Sequence, residues 1–199
     1  MVEVRIASPS DAPALLDIYA PYIRNTAFTF ETEIPTADQF RTRIENCLMK
    51  FPWIVCAINK KIAGYVYASA HRDREAYQWT SECSVYLDPG FTGKGLGKEL
   101  YALLFDILKV QGLRNIYAGI TLPNDPSVRL HEACGFSLFA VYENVGYKMG
   151  SWHKVGWWRL RINDYDTEPS PPLKFSLMDR SPFTQPFLRT AQRIQSKFI

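Results

Sequence analysis

The sequence predicts a single α/β domain in which strand and helix patterns alternate around one core. Three observations carry that expectation. Short apolar runs such as VEVRIA (2–7), WIVCAI (53–58) and IAGYVYASA (62–70) read as strands. Other segments place apolar residues at helical spacing, most clearly Leu96, Leu100, Leu103, Leu104 and Ile107. A chain of 199 residues, 47% apolar and 22% charged, has the size and composition of one ordinary globular domain.

VEVRIA opens the chain as a strand, and Ser10 or Asp11 can cap a helix running through Tyr19. Residues 21–34, PYIRNTAFTFETEI, form an aromatic connector with little periodicity. A second helix runs roughly from Thr36 to Met49, with Phe40, Ile44 and Leu48 on one face. The strands 53–58 and 62–70 form a hairpin that turns at Asn59–Lys61. HRDREAYQWT (71–80) is a polar and aromatic loop. ECSVYL (82–87) is a strand that runs directly into DPGFTGKGLGKELY (88–101). The amphipathic helix that follows ends at Gly112. Asn115–Ile120 is the next strand. Asp125 then caps a short helix with Pro126 at its first position and Gly135 just past its end. FSLFAVYENVGYK and SWHKVGWWRLRI close the fold as two long strands. The order is β-α-α-β-β-β-α-β-α-β-β.

Residues 1–165 are expected to form the domain, and 166–199 a Pro-containing linker with a basic amphipathic extension. TEPSPP (167–172) suits no helix or strand interior. Beyond it, Phe187, Ala191, Ile194 and Phe198 share one helical face. Docking on its own domain or on a partner subunit is expected of that helix before any membrane contact.

The formal charge of +3 is unevenly spread. Residues 174–199 carry five basic side chains against Asp179, a net +4, which leaves −1 for the rest. A near-neutral body with a basic tail does not suit nucleic-acid binding, whose basic residues should cover the folded face. Four scattered cysteines, three histidines and no CxxC pair make a metal site improbable, and reduced thiols are the default. No apolar run is long enough to span a membrane, and MVEVRIASPSDAP lacks a signal-peptide core. A cytoplasmic, metal-free protein is therefore expected.

The stretch with Gly93, Gly95 and Gly97 poses the question of which phosphate it holds. The dinucleotide pattern G-x-G-x-x-G fails because Lys98 stands at the third glycine. The pattern G-x-x-x-x-G-K-[ST] fails on spacing and on Glu99, which replaces the magnesium-binding hydroxyl. What remains is a strand, an uncrowded loop and a helix starting inside it. That arrangement aims N–H groups and the positive helix end at an anion such as a pyrophosphate. A plain strand-to-helix turn with surface lysines is the alternative.

SVYLDPGFTGKGLGKEL resembles motif A of the GNAT superfamily of N-acetyltransferases, in which [QR]-x-x-G-x-[GA] binds the pyrophosphate of acetyl-CoA. The match falls on residues 92–97, with Thr92 where Gln or Arg is preferred. ETEIPT, FPWIVCA, AYQWTSECSVYL, LPNDPSVRLHEACGF and GYKMGSWHKVGWW narrow the resemblance to phosphinothricin N-acetyltransferases and, more loosely, methionine sulfoximine acetyltransferases. Residues from 166 onward lie outside it. The resemblance implies a GNAT-type domain with a mixed, mostly antiparallel central sheet flanked by helices, acetyl-CoA as donor, a small-molecule amine as acceptor, and a homodimer.

The chemistry requires a held cofactor, a deprotonated amine, a stabilised oxyanion and a protonated leaving thiolate. The resemblance makes Glu82 the base; by itself it reads better as an edge-strand carboxylate paired to a surface Arg. Val85, Tyr86 and Leu87 are expected along the pantetheine. Gly93, Lys94, Gly95, Leu96, Gly97 and Lys98 are expected at the pyrophosphate, and Asn124 and Ser127 at the pantetheine amides. His131 is either the acid for the thiolate or a packed, hydrogen-bonded residue. For the acceptor, Arg72 and Arg74 offer forks for a carboxylate, joined by Glu31, Tyr77 and Thr80. Phe28 and Phe30 either wall the side-chain pocket or sit in the core. Cys83 and Cys134 read as small core residues, not nucleophiles. An acetyltransferase for another small amine or a protein amine is the nearest alternative function. A non-catalytic acetyl-CoA-binding domain is the more distant one, against which Glu82 counts.

Overall fold

The computed structural model describes residues 1–198. Seven strands form one sheet in the order β1-β2-β3-β4-β5-β7-β6. They are β1 (Val2–Ile6), β2 (Trp53–Ile58), β3 (Lys61–Ala70), β4 (Thr80–Leu87), β5 (Asn115–Leu122), β6 (Ser137–Lys148) and β7 (Ser151–Arg161). The helices are α1 (Ala12–Asn25), α2 (Ala37–Lys50), α3 (Leu96–Gln111), α4 (Asp125–Ala133) and α5 (Thr184–Gln195). Every neighbouring pair of strands is antiparallel except β4 and β5. The mixed α/β architecture expected from the sequence is the one observed.

Local chemistry explains most element boundaries, and it moves several of them. Neither Ser10 nor Asp11 caps α1 with its side chain. Instead Ser8 forms a capping box with Asp11 around a short 3-10 turn, and α1 follows from Ala12. The helix also continues past Tyr19 to Asn25, carrying Pro21 inside it. Burial of Ile18, Tyr19, Ala20 and Ile23 against the sheet outweighs the break that Pro21 would cause in isolation. Thr36 and Gln39 form a second capping box at the start of α2. The β2–β3 hairpin turns on Asn59 and Lys60, both at positive φ, and Lys61 already belongs to β3. Thr80 belongs to β4, not to the preceding loop. Asn124, not Asp125, caps α4, its side chain accepting from the Ser127 N–H.

The sheet divides two apolar layers. On one face Val66, Cys83, Leu100, Leu104, Ile107, Ile116 and Trp158 form the larger core beneath α3. On the other, Leu15, Ile44, Trp53 and Tyr65 pack beneath α1 and α2. The extension joins the first layer: Phe175, Phe183 and Ile194 are buried there, and α5 lies against β1 and α3. The helix therefore docks on its own domain, the first of the two placements its apolar face suggested.

The parallel pair is the feature that builds the site. It spans only Thr80↔Asn115, Ser81↔Ile116 and Glu82↔Tyr117. Beyond Glu82 the strands part, while β4 stays paired to β3 and β5 to β7. The facing edges of 83–87 and 118–122 border a wedge-shaped slot that opens toward the glycine loop.

Candidate active site

Glu82 stands where the wedge begins. Strand alternation puts Glu82, Ser84 and Tyr86 on the α1/α2 face and Cys83, Val85 and Leu87 on the α3 face. Ser69, the register partner of Glu82, and Tyr67, the partner of Ser84, share the first face. His71, absent from the sequence-based candidates, completes the arrangement. Its Nδ1 lies 2.9 Å from Glu82 Oε1. A carboxylate only accepts, so His71 donates. The ring is stacked on Tyr117 with centroids 4.8 Å apart, and Tyr77 and Trp157 approach it edge-on. Trp157 in turn lies over Gly119, where a Cβ would come within 3.3 Å of the indole. The only sequence signal for His71 was the hairpin register, which places it on the face of Glu82 and diagonal to it.

The loop after β4 has the form of an anion cradle. Gly93 and Gly95 take φ values of +74° and +75°, which favour glycine. Gly95 occupies the N-cap of α3 without a side-chain cap, and the first helical bond runs from Glu99 N–H to the Gly95 carbonyl. The N–H groups of Leu96, Gly97 and Lys98 thus have no intrahelical acceptor and open at the positive end of a 16-residue helix. Gly97 packs closely on α4: a Cβ there would come 3.0 Å from the end of the Leu130 side chain, which would have to shift. The Thr92 hydroxyl donates to the Pro89 carbonyl at 3.0 Å and is spent locally. A diphosphate fits this cradle, and the adjoining slot beside Val85, Tyr86 and Leu87 suits an extended pantetheine. Leu87 contributes less backbone than expected, because its carbonyl accepts from Tyr22 at 2.8 Å.

His131 is placed differently from a general acid. The ring is 3% exposed. Its Nδ1 donates to the Ser127 carbonyl at 2.8 Å, so the neutral Nε2 accepts from Tyr101 Oη at 3.1 Å. Burial holds its pKa below the ordinary histidine value, with the Ser127 bond opposing that shift. Both nitrogens are taken up inside the fold, which leaves no N–H for a thiolate. The packed alternative is the one the geometry supports. Asn124 spends its Oδ1 on the Ser127 N–H at 3.3 Å, leaving its amide donors outward.

The acceptor candidates fall into two groups. Arg72, Arg74 and Tyr77 lie exposed between β3 and β4, and neither arginine makes an ion pair among the described residues. Thr80 begins β4 opposite Asn115. Phe28 and Phe30 are 42% and 39% exposed, so the core reading of these rings does not hold. Phe30 packs on Gly146, where a Cβ would fall 2.2 Å from its ring, and lies near His153. Lys148 reaches back from β6 to donate to the Thr29 carbonyl at 2.7 Å, which pins this connector to the β6–β7 hairpin. Glu31 is held by Arg43 and Tyr19. Between α1, α2 and the sheet lies a cavity of about 380 Å³ walled by Tyr19, Phe40, Trp53, Tyr65, Tyr67 and Tyr86, and it extends to Ser69 beside Glu82.

No cysteine has the environment of a nucleophile. Burial pushes the Cys83 thiol up to about 12 and raises that of Cys134. Among the described residues no group of three or more His, Cys, Asp or Glu side chains is placed to hold a metal ion.

Comparison with known proteins bears on the same region. The family model described as "Acetyltransferase (GNAT) domain" matches residues 4–157. The phosphinothricin N-acetyltransferase of Streptomyces viridochromogenes is 39% identical over 171 residues, covering 86% of this chain and 91% of its own. The L-methionine sulfoximine/L-methionine sulfone acetyltransferase of Salmonella typhimurium is 29% identical over 163 residues, 81% of this chain and 95% of its own. A phosphinothricin acetyltransferase from Sinorhizobium meliloti, solved in complex with acetyl-CoA, superposes with a TM-score of 0.82 at 28% identity, covering 89% of this chain and 97% of its own.

Proposed function

The chain belongs to the GNAT acetyltransferase family, and from that premise we propose that it acetylates the α-amino group of a small amino-acid-like acceptor, of the phosphinothricin or methionine sulfoximine type. The observation that carries this reading is the position of Glu82, at the point where β4 and β5 part and within 2.9 Å of His71. Acetyl-CoA supplies a thioester open to attack by an amine. The N–H groups of residues 96–98 and the ammonium groups of Lys94 and Lys98 hold the diphosphate. Strand β4 lays Val85, Tyr86 and Leu87 along the pantetheine, with Asn124 and Ser127 at the far wall of the slot.

Glu82 takes the proton from the acceptor ammonium, directly or through one water, so that the free amine attacks. The new C–N bond replaces the C–S bond, and the proton that the attacking nitrogen must lose passes to the departing sulfur, so that CoA leaves as the thiol. An unpaired backbone N–H of β4 faces the developing oxyanion. His71 orients the carboxylate. His131, bonded within α4 to the Ser127 carbonyl, ties that helix to α3 through Tyr101, and so holds Asn124 in register. Arg72 and Arg74 meet the acceptor carboxylate, Tyr77 and Thr80 border it, and Phe28 and Phe30 wall its side chain.

The protein is read as a cytoplasmic homodimer. No helix among the described residues is long and apolar enough to cross a membrane. Support for the dimer comes from the outer hairpin, where Leu138, Phe139, Val145, Tyr147 and Trp152 are each about half exposed or more, on and beside the edge strand β6. Steady-state thiol release with acetyl-CoA and a panel of amino acids tests the function. Arg72→Ala and Arg74→Ala should raise KM for a carboxylate-bearing acceptor about tenfold or more, with little change for an amine lacking the carboxylate. Turnover only on such carboxylate-free amines would overturn the amino-acid assignment.

A further inference from the structure

The C-terminal segment returns to the cofactor loop, although it lies beyond the region matched by the family model. Helix α5 is anchored by Phe183, Thr190 and Ile194, all buried. From its end, Lys197 and Phe198 reach the glycine cradle. Lys197 Nζ lies where a Cβ on Gly95 would be only 3.1 Å away, so the ammonium rests directly on that glycine. Phe198 packs on Phe91 with centroids 5.9 Å apart. The Lys94 ammonium sits 4.9 Å from the centre of the Phe198 ring, within cation–π range.

Glu99 is the one acidic group in this cluster, and it bonds both Arg193, at 2.8 Å, and Lys197, at 2.6 Å. Arg193 alone would satisfy it as an ion pair. An ammonium has three donors, and Glu99 uses one from Lys197. The remaining two stand beside the helix N-terminus that the diphosphate requires. Lys94, Lys98, Arg193 and Lys197 against Glu99 leave a net +3 around the loop. Thr92, bonded to Pro89, adds nothing to it.

We propose that the C-terminal segment is part of the acetyl-CoA site: Lys197 supplies a side-chain cation to the diphosphate beside Gly95, and Phe198 holds Lys94 over the same loop. This rests on the acetyltransferase reading above and adds a phosphate ligand from outside the family-matched region. The substitution Gly95→Ala would displace Lys197 as well as strain the backbone. The segment therefore links the fold of the extension to the affinity for the donor.

Isothermal titration of the full chain with CoA and with 3′-dephospho-CoA tests this, using Lys197→Met to keep the aliphatic stem and Phe198→Ala as an independent variant. Lys197→Met should weaken both ligands by the same factor, about five- to tenfold at low ionic strength, with the urea midpoint unchanged. Phe198→Ala should weaken both by a smaller factor. An unchanged Kd in Lys197→Met overturns the proposal. So does a loss seen with CoA but not with dephospho-CoA, which would place the lysine at the 3′-phosphate. Failure of the unsubstituted protein to bind CoA would instead remove the acetyltransferase reading itself.

Discussion

His71 donates to Glu82 at the loop end of the β3–β4 hairpin, Nδ1 to Oε1 at 2.9 Å, with its ring stacked on Tyr117 of the next strand. The carboxylate is thereby fixed at the residue where the parallel pairing of β4 and β5 ends. The proposed base and the mouth of the proposed cofactor slot are set by the same three-residue ladder.

Removal of the proposed base has the largest expected effect. Glu82→Gln should lower kcat/KM at neutral pH by about 10²–10⁴-fold, the usual worth of a positioned base. CoA affinity by titration should stay within about twofold, because Glu82 faces away from the cradle. An unchanged rate would take Glu82 out of that role.

In the proposed reaction His71 acts through Glu82, as a positioning residue. His71→Ala should lower kcat by roughly tenfold while KM for acetyl-CoA is kept, as for an interaction lost mainly in the transition state. His71→Asn, which retains a donor, should recover part of kcat. A change in KM alone, without recovery by Asn, would point to a role in binding.

The loop glycines are not equivalent. Gly95→Ala places a side chain at φ +75° against Lys197, and should cost about 1–2 kcal/mol in urea unfolding. Gly90→Ala, with ordinary φ and only the Asp88 carboxylate near at 3.3 Å, should stay within about 0.5 kcal/mol. Equal losses at both sites would mean that the left-handed conformation is not what selects glycine.

The buried His131 makes stability depend on pH. Its folded pKa is depressed, chiefly by desolvation of the charged form. The unfolded chain then binds more protons below the ordinary value of about 6.5. The contribution is present in full above that value and is lost as pH falls toward the folded pKa. Urea unfolding of the native protein should therefore weaken from pH 7 to pH 5 more steeply than that of His131→Gln. Parallel pH profiles would show that His131 is not held neutral.

The extension should behave as core. Ile194→Ala removes a side chain with no exposed surface and should cost about 2–5 kcal/mol. The exposed Leu188→Ala, 51% accessible on the same helix, should cost under about 1 kcal/mol. Similar small losses for both would detach α5 from the fold.

The sequence by itself determined the elements and the donor loop. Helical spacing located α3 and α5, alternation located the seven strands, and Gly93 and Gly95 announced the cradle because a left-handed turn leaves few residue choices. These are local requirements, and a linear pattern records them. The end of α1 was placed short, at Tyr19, because 21–34 shows little periodicity, whereas the burial that carries the helix on to Asn25 is tertiary. His131 was left open because its residue type suits both roles, and only Tyr101 and the Ser127 carbonyl settle how its nitrogens are used. His71 went unread because its meaning lies in Glu82 and Tyr117, on other strands. Lys197 and Glu99 meet across 98 positions of chain, brought together by the docking of α5 on α3. Contacts of that kind depend on which apolar faces bury one another, and no spacing along the chain encodes the partner.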